Sequence, residues 1–197
     1  MVPRFEQPVK RIGENNGNPE FFDSILAEFQ TVFRESEHPD LQRIAKMIDG
    51  RKRFLSLPGN EMKIESMLLD GKTFDWEPFK GKVVLIDFWA TWCGPCLREV
   101  PNMRANWDKY HDQGFEIIGI AVQDKTEAVK LHIAKGETPW TILDDQQWID
   151  AKNESIADYY GIAGIPCMIL IGRDGKVISL EARGNKLNKE LEKLFEK

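Results

Sequence analysis

The sequence is poor in cysteine and histidine and contains no long apolar run. Its three cysteines among 197 residues are too few for a domain held by several disulfides, and only Cys93 and Cys96 are close enough to form a pair. No stretch approaches the roughly 18 consecutive apolar residues of a membrane span, and residues 1–10 lack the apolar region of a signal peptide. We therefore expect a soluble chain, with no signal peptide in the sequence given, whose redox chemistry depends on one cysteine pair.

Clustered basic charge is also missing. The chain has 27 Lys and Arg against 32 Asp and Glu, a formal net charge of −5, and its densest basic run is Arg51-Lys52-Arg53. A run this short is typical of a solvated helix end, so nucleic acid is not an expected partner. The hydrophobic content of 42% predicts one well-buried domain plus an appendage.

The N-terminal part of the chain has its own pattern. Residues 1–18 mix Pro, Gly and Asn with scattered charge, which is typical of a loop or arm. Apolar residues recur at helical spacing from Pro19 onward, and they predict an amphipathic helix. A second helix is predicted from Pro39 to just before Gly50.

A break in the helical pattern at Leu57-Pro58-Gly59-Asn60 suggests a domain boundary. We therefore predict two parts: an N-terminal arm and helical extension over residues 1–58, and the main domain over residues 59–197. The helical segment, residues 19–57, is a candidate for contact with an upstream domain or a docking partner.

The main domain alternates predicted strands and helices. Strands are expected at 64–69, 73–76, 83–88, 115–122, 140–143, 168–171 and 177–180, and helices at 94–110, after Asp124, at 154–160 and at 187–195. Asp70-Gly71 and the turn at 172–175 predict two antiparallel hairpins, and Asp124 with Glu127 resembles a helix N-cap box. This order implies an α/β fold with a mixed central sheet and helices on both faces.

Residues 84–96, with the sequence VLIDFWATWCGPC, resemble the active-site strand and turn of thioredoxins almost position for position. Residues 97–101, 115–122 and 160–166 look like the TlpA/ResA group of thioredoxin-like reductases. The resemblance covers about residues 60–197 and leaves the N-terminal extension outside. It implies a thioredoxin fold that carries thiol–disulfide oxidoreductase activity.

The cysteine motif also indicates a chemistry by itself. A cysteine at the start of a helix faces unpaired backbone N–H groups and the positive end of the helix dipole, which favour thiolate over thiol. We therefore predict Cys93 as the attacking nucleophile and Cys96 as the resolving thiol that releases the reduced partner. Gly94 and Pro95 permit the tight approach of a substrate and the helix start. A structural zinc site needs four ligands and usually a second cysteine pair, so no metal is expected.

Two carboxylates are candidates for moving protons at the dithiol. Asp87 sits in an otherwise apolar strand, where a carboxylate is costly unless it is exposed, hydrogen-bonded or functional. The resemblance implies that Asp87 is buried beneath the dithiol and helps to move the Cys96 proton. Glu99 matches a glutamate that ResA-like proteins place near the dithiol, which makes it a candidate second relay. The alternative for Glu99 is a position on a solvated helix face.

The residues around a second loop complete the predicted site. Ile165-Pro166 resembles the family's cis-proline loop, which packs against the dithiol and presents backbone groups to an extended substrate segment. Trp92 is expected at the surface, where it could contact a partner, and Trp89 in the core. Cys167 stands where many relatives have threonine. It is either a small buried hydrophobe or an accessory thiol that exchanges with the disulfide or tunes its potential.

These features favour a protein-disulfide reductase that takes electrons from an upstream thiol donor and passes them to disulfide-containing protein substrates. A thiol peroxidase is an alternative, although the Pro-x-x-x-Thr-x-x-Cys arrangement of peroxiredoxins is absent before Cys93. A redox-regulated binding module, docked through the N-terminal helices, is another. No separate cofactor is expected, because the dithiol itself carries both electrons. The resemblance implies a periplasmic or otherwise extracytoplasmic location.

Overall fold

The computed structural model describes residues 33–34, 36–152 and 155–196, except for the side chains of residues 151 and 152. The chain divides into two units, Met1–Asp49 and Gly50–Lys197. The predicted arm and nearly all of the first predicted helix lie outside the described residues. The division that the sequence suggests after residue 58 stays a prediction.

Helices and strands alternate through most of the described chain. The helices are α1 (Pro39–Leu55), α2 (Gly94–Tyr110), α3 (Thr126–Ile133), α4 (Asp145–Lys152), α5 (Ile156–Tyr159) and α6 (Asn185–Phe195), and the strands are β1 (Val83–Trp89), β2 (Phe115–Ala121), β3 (Thr141–Asp144), β4 (Cys167–Ile171) and β5 (Val177–Ser179). None of the helices in this part of the chain combines the length and the apolarity that a membrane crossing requires.

The five strands form one mixed sheet in the order β3-β2-β1-β4-β5. Strands β1, β2 and β3 run parallel, whereas β4 is antiparallel to β1 and β5 is antiparallel to β4. The predicted mixed sheet is confirmed, and so is the hairpin formed by β4 and β5. Strand β1 lies at the centre, where all seven of its residues are buried.

The two faces of β1 contribute to two hydrophobic cores. Because side chains alternate along a strand, Leu85 and Trp89 point to the face where Cys93 and Cys96 pack. Ile86, on the other face, packs into the second core. Burying a side chain of this size contributes about 1.5–3 kcal/mol, so β1 is a rigid base for the residues that follow it.

Helix α1 does not end at Gly50, as the sequence predicts, but continues to Leu55. Gly50 instead permits a close approach to Gly161. A Cβ at Gly50 would lie 2.5 Å from the backbone nitrogen of Gly161, and a Cβ at Gly161 would lie 2.4 Å from that of Arg51. Glycine is needed here because two backbones meet, so it does not mark a helix end.

Three local predictions differ from the structure. The predicted hairpin around Asp70-Gly71 is reduced to an isolated bridge between Met67 and Thr73, although the turn itself is present. The predicted N-cap box is wrong, because Lys125 occupies the N-cap of α3 and makes no side-chain capping bond. Helix α4 was not predicted, because its sequence DQQWIDAK is mostly polar and has no clear apolar stripe.

Candidate active site

Cys93 and Cys96 are joined by a disulfide at the first turn of α2. Cys93 is the N-cap residue, and its Sγ accepts a hydrogen bond from the backbone N–H of Cys96 at 3.2 Å. Gly94 and Pro95 open the helix, where proline is well tolerated because the first N–H groups have no partner within the helix. Both cysteines are buried, with 4% and 1% of their surface exposed.

The turn before the disulfide is held by residues that follow β2. The backbone N–H of Thr91 donates to Asp124 Oδ2 at 2.5 Å, and the indole N–H of Trp92 donates to the carbonyl of Gln123 at 3.1 Å. Parallel β1 and β2 end at the same edge of the sheet, which brings these two segments together. The role of Asp124 was missed, although its position directly beyond a central strand could have indicated it.

The two tryptophans occupy the environments that the sequence predicts. Trp92 is 61% exposed beside the disulfide, while Trp89 is 3% exposed in the core. The prediction of their burial is confirmed. The exposed indole of Trp92 directly precedes Cys93 in the sequence, so an aromatic surface borders the disulfide.

Asp87 is buried in the middle of β1, between Gly119 of β2 and Met168 of β4. Its side chain points to the same face of the sheet as the cysteine pair, because it alternates with Ile86 and Phe88. Its Oδ1 has no hydrogen-bond partner among the described residues. Burial, reinforced by the charge of Glu99, raises the pKa of Asp87 to about 7. Its carboxyl group can therefore gain or lose a proton near neutral pH.

Glu99 lies on α2, one turn beyond Cys96, and its side chain is 16% exposed. Its Oε1 accepts from Arg183 Nε at 3.0 Å, and its Oε2 accepts from the backbone N–H of Gly184 at 3.2 Å. Glu99 is therefore not on a solvated helix face. Arg183, distant in sequence, is a site neighbour that sequence reasoning missed.

The loop before β4 borders the site from the other side. The Ile165–Pro166 peptide bond is cis, as the resemblance implies. Ile165 packs against both hydrophobic cores, including the one that contains the cysteine pair. Pro166 and Cys167 line a groove of about 880 Å³. The cis-proline loop thus connects the disulfide region with an open groove.

Cys167 is placed differently from the cysteine pair. It is paired in register with Phe88 and packs against the core on that face, whereas Cys93 and Cys96 belong to the opposite core. Burial, together with the charge of Asp87, raises the pKa of the Cys167 thiol to about 11. A thiol in this state is a poor nucleophile at neutral pH, which favours the interpretation as a small buried hydrophobe.

The arrangement supports two-electron exchange between a cysteine pair and another disulfide. A titrating carboxyl group lies on the same face of the sheet, and the described residues contain no cluster of His, Cys, Asp or Glu that could hold a metal ion. The mixed sheet, the helix that begins at the cysteine pair and the cis-proline loop are those of thioredoxin. Fold and site together define a thioredoxin-fold thiol–disulfide oxidoreductase.

Within this class the chain belongs to the Redoxin family, whose model matches residues 49–195. It is 35% identical over 129 residues to the thiol-disulfide oxidoreductase ResA of Bacillus thuringiensis subsp. konkukian, covering 66% of this chain and 70% of the relative. It is 29% identical over 111 residues to ResA of Bacillus subtilis, covering 56% of this chain and 59% of that protein. The protein is therefore a ResA-like oxidoreductase that acts on protein disulfides.

Solved structures agree with this assignment. The thioredoxin domain of a thiol-disulfide oxidoreductase from Bacteroides vulgatus superposes with a TM-score of 0.60 at 30% identity, covering 69% of this chain and 96% of that domain. A thiol:disulfide interchange protein from Bacteroides sp. has a TM-score of 0.60 at 29% identity, covering 71% of this chain and 91% of the other. The predicted thioredoxin fold is confirmed.

Proposed function

We propose that the dithiol form of this protein reduces disulfides in other proteins, with Cys93 as nucleophile and Cys96 as resolving thiol. The Cys93 thiolate attacks one sulfur of the substrate disulfide, which forms a mixed disulfide and releases the first substrate thiolate. Cys96 then attacks Cys93 Sγ, closes the intramolecular disulfide and releases the second substrate thiolate. The substrate gains two electrons, and the enzyme loses two.

The position of the disulfide at the N-terminus of α2 carries this proposal. The Cys96 N–H already points at Cys93 Sγ at 3.2 Å. The same N–H, with the helix dipole, would stabilise a thiolate on Cys93. Cys96 is the more deeply buried of the two cysteines. Its Sγ accepts no hydrogen bond from any described residue. The asymmetry supports attack by Cys93 and resolution by Cys96.

Asp87 is the proton acceptor in the resolving step. Cys96 must lose its proton before it attacks, and a base works best when its pKa lies near the working pH. With its pKa raised to about 7, Asp87 meets this condition. Arg183 and Gly184 hold the side chain of Glu99 in place by hydrogen bonds. The charge of Glu99 then helps to raise the pKa of Asp87.

We also propose an electron donor of a given class and a cellular compartment for this reaction. After each turnover the Cys93–Cys96 disulfide must be reduced again, which requires an upstream thiol donor. The ResA relatives are thiol-disulfide oxidoreductases, and their likeness to this chain supports an extracytoplasmic, periplasm-like compartment, where exported cysteines oxidise and need reduction.

Trapping the mixed disulfide tests the assignment of the two cysteines. Cys96→Ser should accumulate a covalent complex with a reducible protein substrate such as insulin, whereas Cys93→Ser should form none. Cys167→Ser is the matched control and should turn over like the unmodified protein. A complex trapped through Cys96 or Cys167 would refute the assignment. Consumption of peroxide at a rate comparable with disulfide reduction would favour the peroxidase alternative.

A further inference from the structure

The groove beside the cis-proline loop has apolar walls. Its apolar lining includes Phe54 and Leu55, at the end of α1, and Ile178 and Leu180, in and after the edge strand β5. Leu55 and Ile178 are exposed large hydrophobic residues, 47% and 40% accessible. The volume of about 880 Å³ is at the upper end of ordinary ligand sites, so the groove can hold several side chains of a peptide.

The ionisable residues of the groove are mostly cationic. Among the described residues that line it, Arg51, Arg183 and Lys186 are basic and Glu181 is the one acidic residue. The whole chain has a formal charge of −5, so this local excess of positive charge runs against the overall balance. The groove lining that contains these four residues is called the cationic groove below.

The cations of the groove differ in how far they are already paired. Arg183 Nε lies 3.0 Å from Glu99 Oε1, so this ion pair already compensates much of the charge of Arg183. Lys186 lies 3.6 Å from Glu181, whose side chain is 84% exposed, and such surface pairs are weak. Arg51 has no ion pair with any described residue, and its guanidinium lies 4.8 Å from the centre of the Phe54 ring. Arg51 is therefore available to bind an anionic group next to an apolar wall.

The position of the cationic groove suggests its occupant. It begins at Pro166 and Cys167, and the preceding Ile165 packs against the core that contains the cysteine pair. Arg183, which lines the groove, is bonded to Glu99 one turn beyond Cys96, so the groove reaches the helix that carries the cysteine pair. A substrate chain that extends from Cys93 along this side would enter the groove. A carboxylate in that chain would meet the guanidinium of Arg51, which has no ion pair with any described residue and can bind carboxylates with well-aligned hydrogen bonds.

We propose that the cationic groove binds the segment next to the reactive cysteine of a protein substrate and selects segments in which an acidic side chain lies among apolar ones. The inference rests on the proposed reductase function and adds a substrate preference to it. Arg51 and Lys186 determine the preference, and the apolar walls hold the neighbouring side chains of the substrate.

The test uses two synthetic peptides, each with one disulfide-linked cysteine and apolar neighbours, that differ only in a Glu or a Gln near that cysteine. With reduced full-length protein at low salt, the acidic peptide should have a kcat/KM about two- to fivefold higher for each contributing cation. The preference should decline with added salt, because exposed charges are screened.

Two variants and one control show which cations are responsible for the preference for the acidic peptide. Arg51→Gln and Lys186→Gln should each bring the ratio of kcat/KM for the acidic peptide to kcat/KM for the Gln peptide closer to one. Lys189→Gln removes the same charge from an exposed position on α6 outside the groove and should keep the preference. Equal kcat/KM values for both peptides, or a preference that survives both groove variants, would overturn the proposal.

A neutral small disulfide, hydroxyethyl disulfide, separates this proposal from the proposed function. It has neither a charge nor a peptide segment for the groove to bind, so its reduction by the unmodified protein reports the cysteine pair alone. If the unmodified protein reduces it and does not distinguish the peptides, the groove proposal fails and the reductase function stands. If it reduces neither the peptides nor the small disulfide, the reductase function itself fails.

Discussion

Replacement of the buried carboxylate, Asp87→Asn, should change the stability of the oxidised protein in a strongly pH-dependent way and should stabilise it near neutral pH. Asp87 is 3% exposed, and burial raises its pKa from 3.8 to about 7. Asparagine has nearly the same shape but no charge at any pH. The comparison therefore isolates the free-energy cost of an ionised carboxylate inside the core.

The sign of the effect follows from proton binding. Below about pH 4, Asp87 is protonated in both the folded and the unfolded chain. As the pH rises toward about 7, the unfolded chain loses this proton and the folded chain keeps it, so the free energy of unfolding falls. A difference of about three pKa units corresponds to a total loss of about 4 kcal/mol, complete above about pH 7.

Urea unfolding of both oxidised proteins between about pH 4 and about pH 8 measures this difference. From the low to the high end of this range the variant should gain about 4 kcal/mol relative to the unmodified protein. Its own unpaired amide lowers its stability by about 1–3 kcal/mol at every pH, so the net stabilisation should be visible only at the high end. Other titrating groups, such as the buried Asp145, are present in both proteins and cancel. A difference that does not change with pH would refute the reasoning.

Three further changes test the surroundings of the site. Glu99→Gln removes the charge that helps to raise the pKa of Asp87, so the low-pH limb of the reduction rate should move to lower pH; an unmoved limb would contradict this electrostatic role. Cys167→Ser should leave the redox potential of the cysteine pair unchanged, and a shifted potential would restore the accessory-thiol interpretation. Gly161→Ala should lower stability by about 2 kcal/mol or more, because Gly161 has a φ of +56° and an added Cβ would lie 2.4 Å from the backbone nitrogen of Arg51. Gly164→Ala is the control and should not lower stability, because a Cβ there meets nothing within 4 Å. Thermal melts of both glycine variants provide that comparison.

Patterns that depend on neighbouring residues could be predicted from the sequence. The run at 83–88 is apolar except for Asp87, which predicts a central strand covered on both faces, and β1 spans Val83–Trp89. The helix predicted at 94–110 matches α2, because the cysteine motif marks its beginning and its apolar spacing continues to Tyr110. The reactive cysteine pair itself is contiguous in sequence, so its identification needed no tertiary information.

Other features depend on contacts between distant segments. Arg183 reaches Glu99 across 84 residues of sequence, and Asp124 holds Thr91 across 33. Neither partner can be read from its own stretch of sequence, because each pair forms only when the fold brings two distant segments together. The same applies to Gly50, whose sequence context suggests a helix end although a tertiary backbone contact requires it.

The sequence by itself determined the chemical groups of this protein. They are Cys93 and Cys96 at the start of a helix and the carboxylate of Asp87 in the apolar strand before it. Only the tertiary structure decided the environment of that chemistry. Burial by packing from both sides of the sheet raises the pKa of Asp87 to about 7. The alternation of side chains along β4 turns Cys167 away from the cysteine pair. Proton affinity and side-chain direction depend on what surrounds a residue in space, which no single stretch of sequence contains.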